Sequence, residues 1–556
     1  MVTAASPRFL AGMTLCAAAL LAPPLSAQTS QNGNAPTTNS ASWDPQQILR
    51  TETYVRPPEV IERIVMAPRV DISFTTPSPD RKWFLRTPGM DRGDIDKFGA
   101  VHVNLGGLQI DTRANRARTM TTSLHTGLAL VDARTGATRT LETPKGATIS
   151  APAWSPNGTQ IAYIANFDDA SQIYVADVAT GKSSALTKTP LVATLVTDVD
   201  WTNDGKNIIT VLVPDGRGPV PTHGKANGVE TGPQVRLTES RPSPQVIHPS
   251  LLEDPHDKAM LKYYTTGQLA LIDVKSKAVK KIGPPAMIKA VDASPDGQYF
   301  RVTLMTEPFS YIVPTSNFGS VQELWDANGR TVATLVRSPM REYADGDAPV
   351  GRGAAAQSAS DTGKRNIQWN PTGPGLVYLQ SVFGGAAQNG GGANGARGGR
   401  GGAGGRGAQG NRPQPTAVKF MSWLPPYGPT DTKEIYSGSG RLTSVAFGSD
   451  GKTMFVADSG AVFAIRTADP SKKYKLDPGV TLPAGGFGGR GGGAGAAAAA
   501  GDSVAGGALQ MKRATNGEQE VLVGSDGKTV FLTGTRQPGA RWNTQGPRPW
   551  VDRLDF

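Results

Sequence analysis

Apolar residues in this chain come in short alternating runs, and each run follows a tight-turn signal. Ser155-Pro156-Asn157-Gly158 leads into Ile161 and Tyr163, and Asn203-Asp204-Gly205 leads into Ile208, Ile209 and Val211. Ser294-Pro295-Asp296-Gly297 precedes Tyr299, Phe300 and Val302, and Asn370-Pro371-Thr372-Gly373 precedes Leu376 and Tyr378. Ser449-Asp450-Gly451 and Ser525-Asp526-Gly527 repeat the signal, and Ser78-Pro79-Asp80-Arg81 before Trp83-Phe84 is a copy without the glycine. Asp-Gly and Asn-Gly accept positive φ and close hairpins whose twist suits the flanking strands. Proline before the acidic residue stiffens the entry to the turn. Trp154, Trp201 and Trp369 stand just before their turns, where an indole fills the wedge between neighbouring sheets.

A second element alternates with the first: an apolar strand ending in Asp, then a turn and a polar strand. Leu128 to Asp132 with Thr135-Gly136, Ile173 to Asp177 with Thr180-Gly181, Leu269 to Asp273, and Leu324 to Asp326 with Asn328-Gly329 are its copies. These read as outer hairpins. Two hairpins per unit give a four-stranded sheet, and seven or eight such sheets set radially make an all-β, β-propeller fold with four-stranded antiparallel blades. The shortest spacing of the turn glycines is close to one blade of ~40–50 residues, and the longer ones fit one blade plus loops, or two blades with one degenerate turn.

Composition agrees. Gly (67) and Pro (43) are abundant among 556 residues, and only 38% are hydrophobic. That excludes a helical bundle and fits a turn-dense chain with low-complexity inserts. The expected inserts are 215–264, 384–415 and 485–507. The last two are Gly-rich and are expected to be mobile, since Gly chains bury little for the entropy they lose. Residues 43–66 could open with a short helix that Pro57 and Pro58 would break.

The net charge of +11 is mild for this length, and part of it sits at Arg397, Arg400, Arg406 and Arg412 in a Gly-rich insert. Solvated linker charge explains it, and no nucleic-acid partner is expected. An Arg-Gly-Gly RNA-binding reading of 397–406 conflicts with the N-terminus, which reads as a secretory signal. Arg8 precedes an apolar run from Phe9 to Ala22, and Leu25-Ser26-Ala27 offers a small-residue cleavage site. The expected order is a signal peptide at 1–27, a linker at 28–42 and the propeller over 43–556. The destination is periplasmic or secreted, with no membrane contact after cleavage. The one cysteine, Cys16, lies inside the signal, so a thiol nucleophile is excluded.

Catalytic chemistry is hard to find. The Gly-x-Ser-x-Gly elbow is absent, and its nearest decoys around Ser449 and Ser525 are turns of the repeat. Gly181-Lys182-Ser183, Gly451-Lys452-Thr453 and Gly527-Lys528-Thr529 lack the upstream glycine of a phosphate loop. The five histidines (His102, His125, His223, His248, His256) show no helical metal spacing. Asp254-Pro255-His256-Asp257 could serve a cation or a general base, but a loop turn capped by Asp is the preferred reading. No catalytic, cofactor or metal residue is assigned, and no cofactor is expected.

A resemblance then enters. Leu105-Gly106-Gly107-Leu108-Gln109-Ile110, Asn115-Arg116-Ala117-Arg118, Thr126 to Asp132, Leu251 to Asp257, Tyr263 to Leu269, Glu307 to Pro314 and Val321 to Asp326 together resemble the secreted glutamyl endopeptidase branch of the prolyl oligopeptidase family. The likeness covers roughly 43–380 well. It implies a propeller preceding a C-terminal α/β-hydrolase domain with a Ser-Asp-His triad, acyl transfer, and cleavage after acidic residues. No triad position can be carried over. The ending Pro549 to Phe556 looks like the first strand of an outer hairpin left without its return, so a fragment or a prematurely ended reading frame is expected. Two readings stand: a substrate-gating propeller of a serine peptidase, inactive alone and meeting peptides through a missing hydrolase domain, or a stand-alone periplasmic propeller binding a protein or glycan.

Overall fold

Six of the seven repeat turns join two neighbouring strands of an antiparallel sheet, the seventh is closed by a single bridge between Val523 and Val530, and the sheets follow one another in chain order. The protein is described here from a computed structural model covering residues 58–66, 76–90, 99–118, 124–222, 250–341, 363–383, 415–483, 507–514, 518–536 and 548–556. The chain divides into a first unit, Met1–Pro68, and a second, Arg69–Phe556. The first unit contributes one described helix, α1 (Glu59–Met66). It starts directly after Pro57 and Pro58, with Pro58 O accepting the amides of Ile61 and Glu62. Proline costs a helix nothing at its start, where no amide donor is needed, and the expected helix opening at residue 43 lies outside the described residues.

The second unit is a β-propeller. Among the described residues it holds six four-stranded sheets, each in simple sequential order, and a three-stranded one at the end. Sheet 1 runs from Thr76–Pro77 through Trp83–Arg86 and Leu128–Asp132 to Thr138–Leu141; sheet 2 from Thr148–Trp154 to Ser183–Ala185; sheet 3 from Asp200–Trp201 to Val279–Lys281. Sheet 4 spans Ile288–Ala293 to Thr331–Ser338, sheet 5 Lys364–Trp369 to Thr432–Ser439, and sheet 6 Leu442–Phe447 to Asp469–Lys475. Sheet 7 joins Ala508–Leu509, Thr529–Arg536 and Arg548–Asp555. The C-terminal strand is paired along its length, from Thr529↔Asp555 to Arg536↔Arg548. Gly534 lies under Trp550, whose indole atoms would stand 2.7–2.8 Å from a Cβ there.

Every sheet between the first and the last buries both faces. In the second strand of sheet 2, Ile161, Tyr163 and Ala165 pack on sheet 1 with Leu128 and Leu130, while Ala162 and Ile164 pack on sheet 3 with Ile208 and Ala270. The same alternation continues: Ile209 and Val211 meet Phe300 and Val302, Leu324 meets Trp369 and Tyr378, Val377 and Leu379 meet Met454 and Val456, and Phe455 meets Val530. Period-two side-chain geometry makes this possible. The tryptophans fill wedges as expected, and two add a directed bond: Trp154 Nε1 donates to Thr76 O at 3.2 Å and Trp201 Nε1 to Ala153 O at 3.1 Å, each reaching the preceding sheet's first strand.

The first four turns share one construction. A hydroxyl at the first position donates to the Asp or Asn two residues on and accepts the amide five residues on. Ser155 meets Asn157 Oδ1 (2.8 Å) and Gln160 N (2.9 Å), Thr202 meets Asp204 and Asn207, and Ser294 meets Asp296 and Tyr299. Gly158, Gly205 and Gly297 take φ of 71°, 68° and 68°, and Arg81 takes 58° in the copy that lacks glycine. In sheet 5 the positive φ falls on Gly375, not Gly373, although the turn closes at the same spacing as the others, with Asn370 N bonding Gly375 O. In the outer turns Asp132, Asp177 and Asp273 accept backbone amides that hold their carboxyls below the usual range.

The expected signal peptide (1–27) and linker (28–42) lie outside the described residues, as do 384–414 and 485–506 of the Gly-rich inserts and 223–249 of the insert at 215–264. Replacing Trp201 by Phe keeps the ring in its wedge and removes the donor to Ala153. The expected cost is about 1 kcal/mol, read as a lowered urea midpoint; an unchanged midpoint would show that the bond between sheets adds nothing.

Candidate functional site

Antiparallel order places all seven repeat turns on one face of the propeller and sends the long connections to the other. The segments 87–127, 213–267, 306–319 and 383–416 all join the second and third strands of their sheets, so they all attach on that second face. There the described parts form a satellite core. Leu105 and Ile110 from a small three-stranded sheet, Leu261 and Tyr264 from helix α2 (Pro255–Thr265), and Phe309 and Val313 from the sheet 4 connection pack together. Thr315 N bonds Gly106 O and Gly107 N bonds Ser250 O, tying the three segments by backbone.

Helix α2 begins where a capped loop turn was expected. Asp254 is its N-cap, accepting Asp257 N at 2.8 Å, while Asp257 Oδ2 accepts Glu253 N at 2.7 Å. Proline at the first helical position suits this start, and the run to Thr265 supplies enough apolar contacts for a helix rather than a loop. Asp254, His256 and Asp257 offer ligand atoms within 4.8 Å of one another. Capping amides, however, already engage both carboxylates, and His256 Nε2 faces Pro221 O at 3.1 Å. The other described histidines also meet backbone carbonyls: His102 Nδ1 lies 3.0 Å from Ala100 O and His125 Nδ1 2.9 Å from Thr87 O. His223 and His248 lie outside the described residues.

Two arginines brace this face, one to a neighbouring sheet and one between its own segments. Arg116 donates to Phe167 O at 2.8 Å and pairs with Asp111 at 3.3 Å, linking the small sheet to sheet 2. Arg217 donates to Asn115 Oδ1 at 2.7 Å and to Tyr263 O at 2.5 Å, and its guanidinium lies 3.8 Å from the Tyr263 ring centre. Burial lowers its affinity for the proton.

A different polar cluster lies at the opposite, turn-bearing end of the first strands. Arg301 of sheet 4, with a side chain 1% exposed, meets Asp292 through Nε at 3.0 Å, Ile367 O at 2.5 Å and Glu518 at 3.3 Å. Glu518 Oε1 also accepts Trp369 N at 3.1 Å. It belongs to a short hairpin, Met511–Arg513 against Gln519–Val521, that sequence reasoning passed over. The sequence carries a signal for it, Asn516-Gly517, a dipeptide that favours tight hairpin turns.

Residues 107–204 match the dipeptidyl peptidase IV N-terminal region family. A probable chloroplastic glutamyl endopeptidase of Oryza sativa subsp. japonica is 29% identical over 350 residues, covering 60% of this chain and 35% of that protein. Its Arabidopsis thaliana counterpart is 27% identical over 370 residues, covering 64% of this chain and 37% of that protein. The chain thus spans about a third of the length of the curated relatives it matches. Porphyromonas gingivalis dipeptidyl peptidase 4 aligns with TM-score 0.36 at 12% identity, over 87% of this chain and 59% of that one. The chain resembles the N-terminal propeller region of prolyl oligopeptidase-type peptidases, glutamyl endopeptidases among them. No helix among the described residues is long and apolar enough to cross a membrane.

Two outcomes test these clusters. Arg217→Met should lower stability by about 2 kcal/mol in urea titration, since charged hydrogen bonds and ring contact are both lost. Glu520, on the short hairpin, has its carboxyl raised above the usual value, first by burial and then by Asp450, against the pull of Lys512. A raised folded pKa means stability that is present in acid and lost as pH rises. Glu520→Gln should therefore raise the melting temperature at about pH 7.5, with the gain gone near pH 3.5; equal gains at both pH values would refute the assignment.

Proposed function

We propose that this chain is the substrate-gating propeller of a secreted serine peptidase of the prolyl oligopeptidase type, one that cleaves after acidic residues. The observation that carries this reading is the 29% identity over 350 residues to a protein named as a glutamyl endopeptidase. The three segments that carry the likeness most plainly, around Leu105, Leu252 and Phe309, form one buried cluster on the insertion-bearing face. Val101, Val220, Ile312 and Phe383 are exposed large apolar side chains attached to that same face, which suits a surface covered by another domain. In this reading a hydrolase domain supplies the nucleophile, its base and the oxyanion donors. The propeller's share is steric and electrostatic: it excludes folded proteins from the reacting centre and keeps bulk water out. Export follows from the N-terminal segment 1–27.

The chain alone should leave a Glu-containing quenched-fluorescence peptide uncut. The genomic DNA beyond codon 556, read in all frames, should contain a Gly-x-Ser-x-Gly within roughly 250 residues, about one hydrolase domain. An unrelated downstream gene would favour a stand-alone propeller that binds a protein or glycan. Turnover by the chain alone, blocked by a serine-directed phosphonate, would overturn the division of labour proposed here.

A further inference from the structure

Each inner first strand has a sheet against both faces and its own second strand along one edge. Solvent therefore reaches it through the remaining edge, which in a propeller looks onto the axial channel. Ala290 of sheet 4, Asn366 of sheet 5 and Thr443 of sheet 6 are the exposed residues of their first strands. All three stand at a break in register: between Ile288 and Ala290, between Arg365 and Gln368, and between Leu442 and Ser444. Asn366 Nδ2 donates to Thr443 O at 3.4 Å, joining two of these breaks. A bulge leaves an extra residue on one strand and re-aims its side chain. In sheet 4 the extra residue is Lys289, second in its strand and so near the insertion-bearing end.

Lys289 is half-buried, and among the described residues its ammonium has no hydrogen-bond or ion-pair partner. Burial, and after it the like charge of Arg341, lowers its affinity for the proton. Arg341 is exposed, and its backbone is fixed to the sheet 4 connection: its N donates to Asn317 O at 2.9 Å and its O accepts Asn317 Nδ2 at 3.4 Å. Met287 and Met340 pack against the satellite core, which sets both cations beside the insertion-bearing face. Other cations drawn out of water are compensated: Arg116 meets Asp111, Arg301 meets Asp292 and Arg466 meets Asp450. A half-buried ammonium with a like charge for a neighbour works against folding. An incoming anion would supply the partner that the chain does not.

We propose that Lys289, with Arg341 beside it, forms a subsite for a peptide carboxylate at the insertion-face mouth of the axial channel. Resting on the gating reading above, it gives the gate a charge preference: acidic peptides are held at the entrance before they meet the reacting centre. The exposed wall at this level, Ala290, Asn366 and Thr443, is uncharged, so it neither repels a carboxylate nor competes with it for the ammonium. A Glu or Asp side chain and a C-terminal carboxylate share this chemistry.

Acetylation of the full chain by limiting acetic anhydride, mapped by mass spectrometry, tests the subsite. Lys280, exposed on the outer strand of sheet 3, is the internal reference. The blocked peptide acetyl-Ala-Ala-Glu-Ala-Ala-amide should slow acetylation of Lys289 and leave Lys280 unchanged, and its blocked Gln analogue should slow neither. The Gln analogue with a free C-terminus separates the two sources: protection by it too extends the subsite to chain ends, and none confines it to side chains. Lys289→Met should weaken binding of the Glu peptide, read by calorimetry, about 10-fold, the worth of one charged hydrogen bond. The same variant should keep or raise the melting temperature, because it loses no ion pair. A lowered melting temperature would make Lys289 a structural residue and overturn the proposal. Equal binding of Glu and Gln peptides, with Lys289 unprotected, would keep the gating reading and sink the subsite. Protection by glutarate but by no peptide would leave an anion site and sink both the peptide assignment and the gating reading beneath it.

Discussion

Burial of both faces of every inner sheet is the constraint from which the rest follows. A sheet whose odd and even side chains are both apolar cannot face water on either side, so it must be flanked. Ile161 and Ile164 lie on the same strand yet belong to two different cores. The chain meets this demand by stacking each sheet on the next in sequence order, so nearly all packing is between neighbours. Trp154 and Trp201 show how the stacking is registered. Their rings fill space that any large apolar residue could fill, but their N–H groups reach a named carbonyl on the preceding sheet.

That stacking leaves the two faces of the propeller with different freedom. The turn-bearing face is closed by short loops whose hydroxyls, carboxylates and positive-φ residues are all committed to the turn itself. Little can be inserted there without losing a hairpin. Connections on the opposite face start and end at the same strand ends but face no such restriction. They have grown into a small sheet, a helix and a second apolar core.

The repeat turns and outer hairpins were legible because their chemistry is local: Asp-Gly needs only itself to announce a turn. Gly373 misled because Pro374 follows it and restricts its backbone, and the positive φ falls on Gly375 instead. Helix α2 was missed for a different reason. Asp254-Pro255 signals a cap equally well for a turn or a helix, and what decides is the contact of Leu261 and Tyr264 with segments more than a hundred residues away. Arg217 and Arg301 were invisible for the same reason. Their partners, Asn115 and Glu518, stand 102 and 217 residues from them, and no single-sequence pattern marks such a pair.

Arg301 also shows why the turn-bearing end of the axis cannot simply be packed with apolar side chains. A guanidinium removed from water needs carboxylates and carbonyls around it, or its desolvation goes uncompensated. Asp292 answers part of that need from the same sheet, and Glu518 adds to it from three sheets further along the chain. A buried methionine there would fill the volume but would give Glu518 no directional bond. A charged pair of this kind costs more to assemble than an apolar contact, and in exchange it ties Glu518 to one place on the ring.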